Sequence, residues 1–112
     1  LKLISERAIG VLNSPEQYLF RFGGEEFVAL LPNVSESEAT LIAVEMLKAI
    51  RSTEIFRNDL PGQSVVTASF GVAEGTKEEL SDLSLFVKAD KQLYTAKNGG
   101  KNSVAANNVI HN

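Results

Sequence analysis

The sequence predicts a mixed α/β (α+β) fold, with helices over both faces of a sheet built around a central hairpin. Three observations lead there. Segments of helical and strand period alternate along 112 residues, with neither internal repeats nor low-complexity tracts. Two short runs, Tyr18–Phe22 and Phe27–Leu31, flank Gly23 and Gly24 and are apolar on both faces, so both faces need cover. The stretch Ser64–Ala73 alternates as a further strand, with Val66, Ala68, Phe70 and Val72 on one side.

Taken in order, Leu1–Leu12 reads as a helix that begins without a cap. Leu3, Ile4, Ala8, Val11 and Leu12 share its apolar face, and Asn13, Ser14 and Pro15 break it. The glycine pair then forms the two-residue loop of a hairpin, since glycine reaches the positive φ such a loop requires. With that loop, Phe22 faces Glu25, Arg21 faces Glu26 and Phe20 faces Phe27. One face of the hairpin carries Tyr18, Phe20, Phe22, Phe27, Ala29 and Leu31. The other carries Leu19, Val28 and Leu30 around Arg21 and Glu26. Ser35 and Glu38 make a capping box for a helix whose apolar positions are Ala39, Ile42, Ala43, Met46, Leu47 and Ile50, and this helix is expected to cover the hairpin. Glu54–Gln63 is a loop. Ser81 caps a last helix running to about Asn98, with Phe86, Ala89, Leu93 and Ala96 inward and Gly99 and Gly100 as its stop. A short strand near Ser103–Ala106 follows, and residues 107–112 read as a polar tail.

Composition narrows the function classes. A chain of this length, 44% hydrophobic, supports one core and one domain. The net charge of -3 argues against a general nucleic-acid binder, which needs a basic face for the phosphate backbone. With no cysteine there is no disulfide framework, no thiolate nucleophile and no thiolate metal site. No apolar run approaches a membrane span and no signal peptide is visible, so a cytoplasmic setting without membrane contact from this segment is expected.

The adjacent glutamates admit two readings. In one, Glu25 and Glu26 belong to a solvated turn, with Glu26 paired to Arg21 across the strands. In the other, they form a metal site. Mg²⁺ prefers one or two carboxylates plus substrate phosphates, and a glycine turn lets such phosphates approach the backbone. Successive strand side chains diverge, so the two would differ in role, Glu25 nearest the metal and Glu26 a second ligand or an orienting group.

The string Arg21, Phe22, Gly23, Gly24, Glu25, Glu26, Phe27 resembles the GGDEF signature of bacterial diguanylate cyclases. Two later blocks strengthen the resemblance. Val66–Ala73 resembles the strand that follows the family's long helix, and Ala89–Asn98 resembles its last helix, closed by Gly100, Lys101 and Asn102 where members usually have Gly, Arg and Asn. The likeness runs to about Val104.

It implies a ferredoxin-like, nucleotidyl-cyclase-type sheet bearing GGEEF on its central hairpin. The implied activity condenses two GTP into cyclic di-GMP and pyrophosphate, with Mg²⁺ or Mn²⁺ as cofactor and two protomers facing each other. On that basis Gly23 and Gly24 lie against the GTP, Glu25 and Glu26 are the catalytic and metal-binding carboxylates, and Lys97 and Lys101 grip the terminal phosphates. Read without the resemblance, those lysines are ordinary cations at a helix C-terminus. Lys101 offers a point charge where arginine would offer a fork. Asp90 and Lys91 look structural. An upstream sensory domain and a homodimer are further implications.

Two departures qualify the resemblance. The family's first strand and its preceding helix, with a metal-binding aspartate and the guanine-reading residues, have no counterpart in this sequence. Residues 1–106 therefore read as the C-terminal two-thirds of a GGDEF domain, expected to be inactive alone and to self-associate through its uncovered strand edge, which sedimentation at micromolar concentration would test. The inhibitory product site of many members, an Arg and an Asp separated by two residues, is replaced by Ser14, Pro15, Glu16 and Gln17, so tight cyclic di-GMP binding there is not expected. The competing class is a non-catalytic nucleotide-sensing or scaffold module. An unrelated ferredoxin-like domain would require all three blocks to be coincidences.

Overall fold

The computed structural model describes residues 2–12, 15–23, 26–52 and 67–112; the side chains of residues 2–5, 20–23 and 26 are not described. In chain order the elements are α1 (Lys2–Ile9), β1 (Tyr18–Gly23), β2 (Glu26–Leu30), α2 (Glu36–Ser52), β3 (Phe70–Val72), α3 (Lys77–Ser81), α4 (Ser84–Asn98), β4 (Val104–Ala106) and β5 (Val109–His111). Strands β1 and β2 form an antiparallel hairpin. Strands β3, β4 and β5 form a second sheet in that order, β3 parallel to β4 and β4 antiparallel to β5.

Helix α2 organises the core. The Ser35 hydroxyl accepts a hydrogen bond from the Glu38 amide at 3.2 Å, capping the first turn. The Ser35 hydroxyl also donates to the Glu38 carboxylate at 3.1 Å, and the Glu36 amide donates to Glu74 at 2.6 Å. Thr40, Ala43, Met46, Leu47 and Ile50 are buried at helical spacing. The buried Thr40 hydroxyl is satisfied by donating to the Glu36 carbonyl at 2.7 Å. Ala43 and Leu47 meet Val72, Val104 and Ala106 in one apolar cluster, with Ala39, Val44 and Phe70 against its margin. Fully burying a side chain such as Leu47 contributes about 1.5–3 kcal/mol.

Helices do cover both faces of this second sheet. Phe70 and Val72 turn toward the α2 cluster, so Gly71 between them faces the other way, and there the backbone of α4 at Ala89 and Leu93 lies directly over it. Only a residue without Cβ permits that approach.

Both ends of α4 depend on local chemistry. Asp82 accepts from the Ser84 amide at 2.9 Å while Leu83 sits in the left-handed region at φ 68. At the other end the Lys101 amide donates to the Ala96 carbonyl at 3.0 Å across Gly100, whose φ is +115. This is the Schellman stop, with the predicted glycine in the left-handed position.

Several expectations need correction. The hairpin register is displaced by one residue: Phe20 pairs with Val28 and Arg21 with Phe27, and a bulge between Arg21 and Gly23 leaves Gly23 opposite Glu26. Arg21 therefore does not face Glu26. Phe27 and Ala29 share the face of Leu19, while Val28 and Leu30 share that of Tyr18.

Helix α2 packs mainly on α1, β3 and β4, and the hairpin's main helical neighbour among the described residues is α1. The third strand is shorter than Ser64–Ala73 at its described end, since residues 67–69 are not strand; residues 64–66 and the Glu54–Gln63 loop lie outside the described residues.

Ser81 ends α3 rather than capping α4. Thr76 caps α3, its hydroxyl accepting from the Glu79 amide and the Glu79 carboxylate accepting from the Thr76 amide. Residues 107–112 include strand β5 where a tail was expected. Asn107 and Asn108, at φ 50 and 62, make a two-residue turn of the type that suits a twisted hairpin. Gln92 of α4 ties that turn down, donating to the Asn108 side chain at 3.1 Å and accepting from its amide at 2.8 Å.

Candidate functional site

The acidic turn belongs to the tip of the β1–β2 hairpin. Gly23 closes β1 and Glu26 opens β2, and the two positions are direct partners across the pair. Gly24 and Glu25, the other half of the GGEEF segment, lie outside the described residues, as does the side chain of Glu26. The bulge just before Gly23 changes the hairpin's register at this end.

The basic pair belongs to a different element. Lys97 occupies the last turn of α4 and Lys101 follows the Schellman stop; both are exposed. The segment bearing Lys101 is held in an unusual conformation. Gly100, Lys101 and Asn102 have φ values of +115, 63 and 50, three successive residues in the left-handed region.

Side chains from elsewhere fix this segment. Arg51, at the end of α2, donates through Nε to Asn102 Oδ1 at 2.8 Å and through Nη2 to the Asn102 carbonyl at 2.7 Å. The Asn102 amide in turn donates to Ser69 Oγ at 3.1 Å, and the Ser103 carbonyl accepts from the Phe70 amide at 2.9 Å. The forked guanidinium suits the two acceptors of one residue. Arg51 and Ser69 are not evident as site residues in the sequence, because a basic residue in a last helical turn and a serine before a strand have ordinary explanations there.

A second polar group lies on α3 and α4. Glu79 is bonded to Lys88 and to Thr76, and Asp82 to Ser84. The Lys88 hydrogen bond, then the Thr76 amide, hold the Glu79 carboxyl below its usual range; the Ser84 amide does the same for Asp82. Asp82 is exposed and Glu79 half-buried, and both serve the caps. Two shallow clefts of about 280 and 240 Å³ occur among the described residues, one where Glu6, Arg7 and Gly10 meet Ala49 and Ser52, the other between Glu36, Glu74, Lys88 and Gln92. Neither contains a predicted site residue.

The model for the family described as "Diguanylate cyclase, GGDEF domain" matches residues 1–103. The chain belongs to the GGDEF domain family. Diguanylate cyclase A of Treponema denticola is 36% identical over 85 residues, covering 75% of this chain and 22% of that protein. Diguanylate cyclase DgcM of Escherichia coli K12 is 39% identical over 88 residues, covering 79% of this chain and 20% of that protein. The chain thus spans about a fifth of the length of these curated relatives. Among solved structures, the GGDEF domain of DgcB from Caulobacter crescentus in complex with c-di-GMP superposes with a TM-score of 0.76 at 31% identity, over 92% of this chain and 60% of that one. The α+β architecture of this GGDEF chain agrees with that likeness. No helix among the described residues is long and apolar enough to cross a membrane.

Proposed function

We propose that this GGDEF chain is the catalytic part of a diguanylate cyclase, acting on GTP in a two-protomer site. The observation that carries the reading is the intact acidic turn, Gly23, Gly24, Glu25 and Glu26, within a chain matched by the GGDEF family over residues 1–103. A GGDEF domain kept only for docking or sensing has no chemical need for two carboxylates after a glycine pair.

Each 3′-hydroxyl attacks the α-phosphate of the GTP on the facing protomer; the new P–O bond forms as pyrophosphate leaves. The cross-strand pairing of Gly23 with Glu26 keeps the two ends of the acidic turn together, and its donors are carboxylate oxygens, the class a hard divalent cation prefers. Glu25 and Glu26 would hold Mg²⁺ or Mn²⁺, which when bound neutralises charge on the phosphates. Glu25 also accepts the proton of the attacking hydroxyl. Gly23 and Gly24 let the nucleotide lie against the backbone, while Lys97 and Lys101 take the terminal phosphates as exposed point charges. Nothing covalent passes through the protein, so positioning of two substrates by two copies supplies the rate.

Chromatographic detection of cyclic di-GMP from GTP and Mg²⁺ tests this, run on this chain and on the longest form its gene encodes. Turnover by the longer form, lost in Glu25→Gln with the fold retained, is the expected result. Two folded proteins without turnover would move the family assignment to its scaffold or sensor branch.

A further inference from the structure

The Lys101 segment is built from three parts of the chain at once. Its start is tied to α4 through the Lys101 amide and the Ala96 carbonyl, at 3.0 Å. Its end is tied to the residue before β3 through the Asn102 amide and Ser69 Oγ, at 3.1 Å, and to α2 through the two Arg51 bonds of 2.8 and 2.7 Å. Lys101 and Asn102 both carry a Cβ in the left-handed region, where an L-residue is disfavoured, so this geometry persists only while its neighbours impose it. Arg51 supplies two of those restraints. Both are charge-assisted and partly buried, hence the strongest on the segment.

We propose that Arg51 is a positioning residue for phosphate binding by Lys101: it fixes the left-handed Lys101–Asn102 backbone and thereby the direction in which the Lys101 ammonium is presented. The proposal rests on the phosphate role given to Lys101 above. Arg51 commits Nε and Nη2 to the two acceptors of Asn102, so the role assigned to it is to hold that residue. Without it, Asn102 relaxes toward ordinary φ values, and the neighbouring Lys101 Cα–Cβ direction turns with it. A lysine at position 51 lacks the planar fork that meets the two Asn102 acceptors, so Arg51→Lys is intermediate.

The test is a double-mutant cycle on this chain, with inorganic triphosphate and Mg²⁺ as the probe, read by titration calorimetry. Arg51→Ala is expected to weaken triphosphate binding about tenfold beside native Lys101 and less than about twofold in the Lys101→Ala background. Asn102→Gly, which tolerates φ 50 and removes one acceptor, serves as the second variant should Arg51→Ala fail to fold, with the same pattern expected. Amide hydrogen exchange at Lys101 and Asn102 is expected to accelerate in both variants.

Equal weakening in the two backgrounds would overturn the proposal, since Arg51 would then act on the ligand or on the whole fold. So would unchanged affinity beside native Lys101. If Lys101→Ala alone leaves affinity unchanged, or the parent chain does not bind triphosphate, the phosphate role of Lys101 fails and the proposal falls with it. Exchange rates then show separately whether Arg51 still holds the segment, which tells the two failures apart.

Discussion

Replacing Gly71 by alanine probes the contact that sets α4 on its sheet. An added Cβ would lie 2.2 Å from the Ala89 carbonyl oxygen, 2.2 Å from the Leu93 nitrogen and 2.8 Å from the Leu93 Cα. All three are backbone atoms, so no rotamer change relieves the clash. Restoring an ordinary contact of 3.4 Å requires β3 and α4 to separate by about 1.2 Å at this point. Overpacking of this kind costs about 1–3 kcal/mol, and a backbone clash belongs at the upper end. The narrower unfolded ensemble of alanine offsets about 0.4–1 kcal/mol, leaving roughly 2 kcal/mol of net destabilisation. For a domain of this size that lowers the melting temperature by about 8 °C. Circular dichroism melts of the parent and Gly71→Ala measure it, with Gly75→Ala as control, where the nearest atom is the Leu85 Cδ1 methyl at 2.8 Å and can swing away. A Gly71→Ala midpoint within about 2 °C of the parent would refute the reasoning.

Gly100→Ala places a Cβ at φ +115 and is expected to cost about 1–2 kcal/mol in urea denaturation, although nothing crowds the position. Lys101→Arg restores a planar fork and should tighten triphosphate binding several-fold by calorimetry. Folding holds the Glu79 and Asp82 carboxyls below their ordinary values of 4.5 and 3.8, so the unfolded chain binds these protons more tightly. Their contribution is present above those values and disappears as pH falls through the lowered folded ones. Lys88→Ala should move the Glu79 titration up toward 4.5 in carboxyl NMR. Cyclic di-GMP is expected not to bind tightly at the Ser14–Gln17 stretch, and stoichiometric micromolar binding mapped to that side of the hairpin would contradict this.

Elements whose signal is local were legible in the sequence. The period of α2, the hairpin strands, the body of α4 and its glycine stop all appear where residue spacing puts them. What escaped depends on partners distant in sequence or on turn chemistry passed over. The hairpin register moved because Gly23 pairs with Glu26 where Phe22 was expected to face Glu25, and the bulge between Arg21 and Gly23 takes back only part of that shift, which no pairing count from a regular two-residue loop anticipates. Strand β5 was hidden by polar Asn107 and Asn108, although an Asn-Asn pair before Val109 and Ile110 is itself a hairpin signal. Thr76 and Glu79 carry the same capping pattern as Ser35 and Glu38 and could have revealed α3. For the candidate site, the resemblance nominates the acidic turn and the lysines, whereas the bonds of Arg51 become visible only when α2 and the Lys101 segment are seen together.

Strand β4 is bonded along both edges, to β3 on one side and β5 on the other, and each of its three residues is buried. Its pairing with β3 is parallel, so it requires the intervening helices α3 and α4 to be folded back across the sheet. A strand paired on both edges and buried at every residue has no local way to open. The amides of Val104, Ala105 and Ala106 should therefore exchange with deuterium on the timescale of global unfolding, which makes this three-residue strand a clock for the stability of the entire chain.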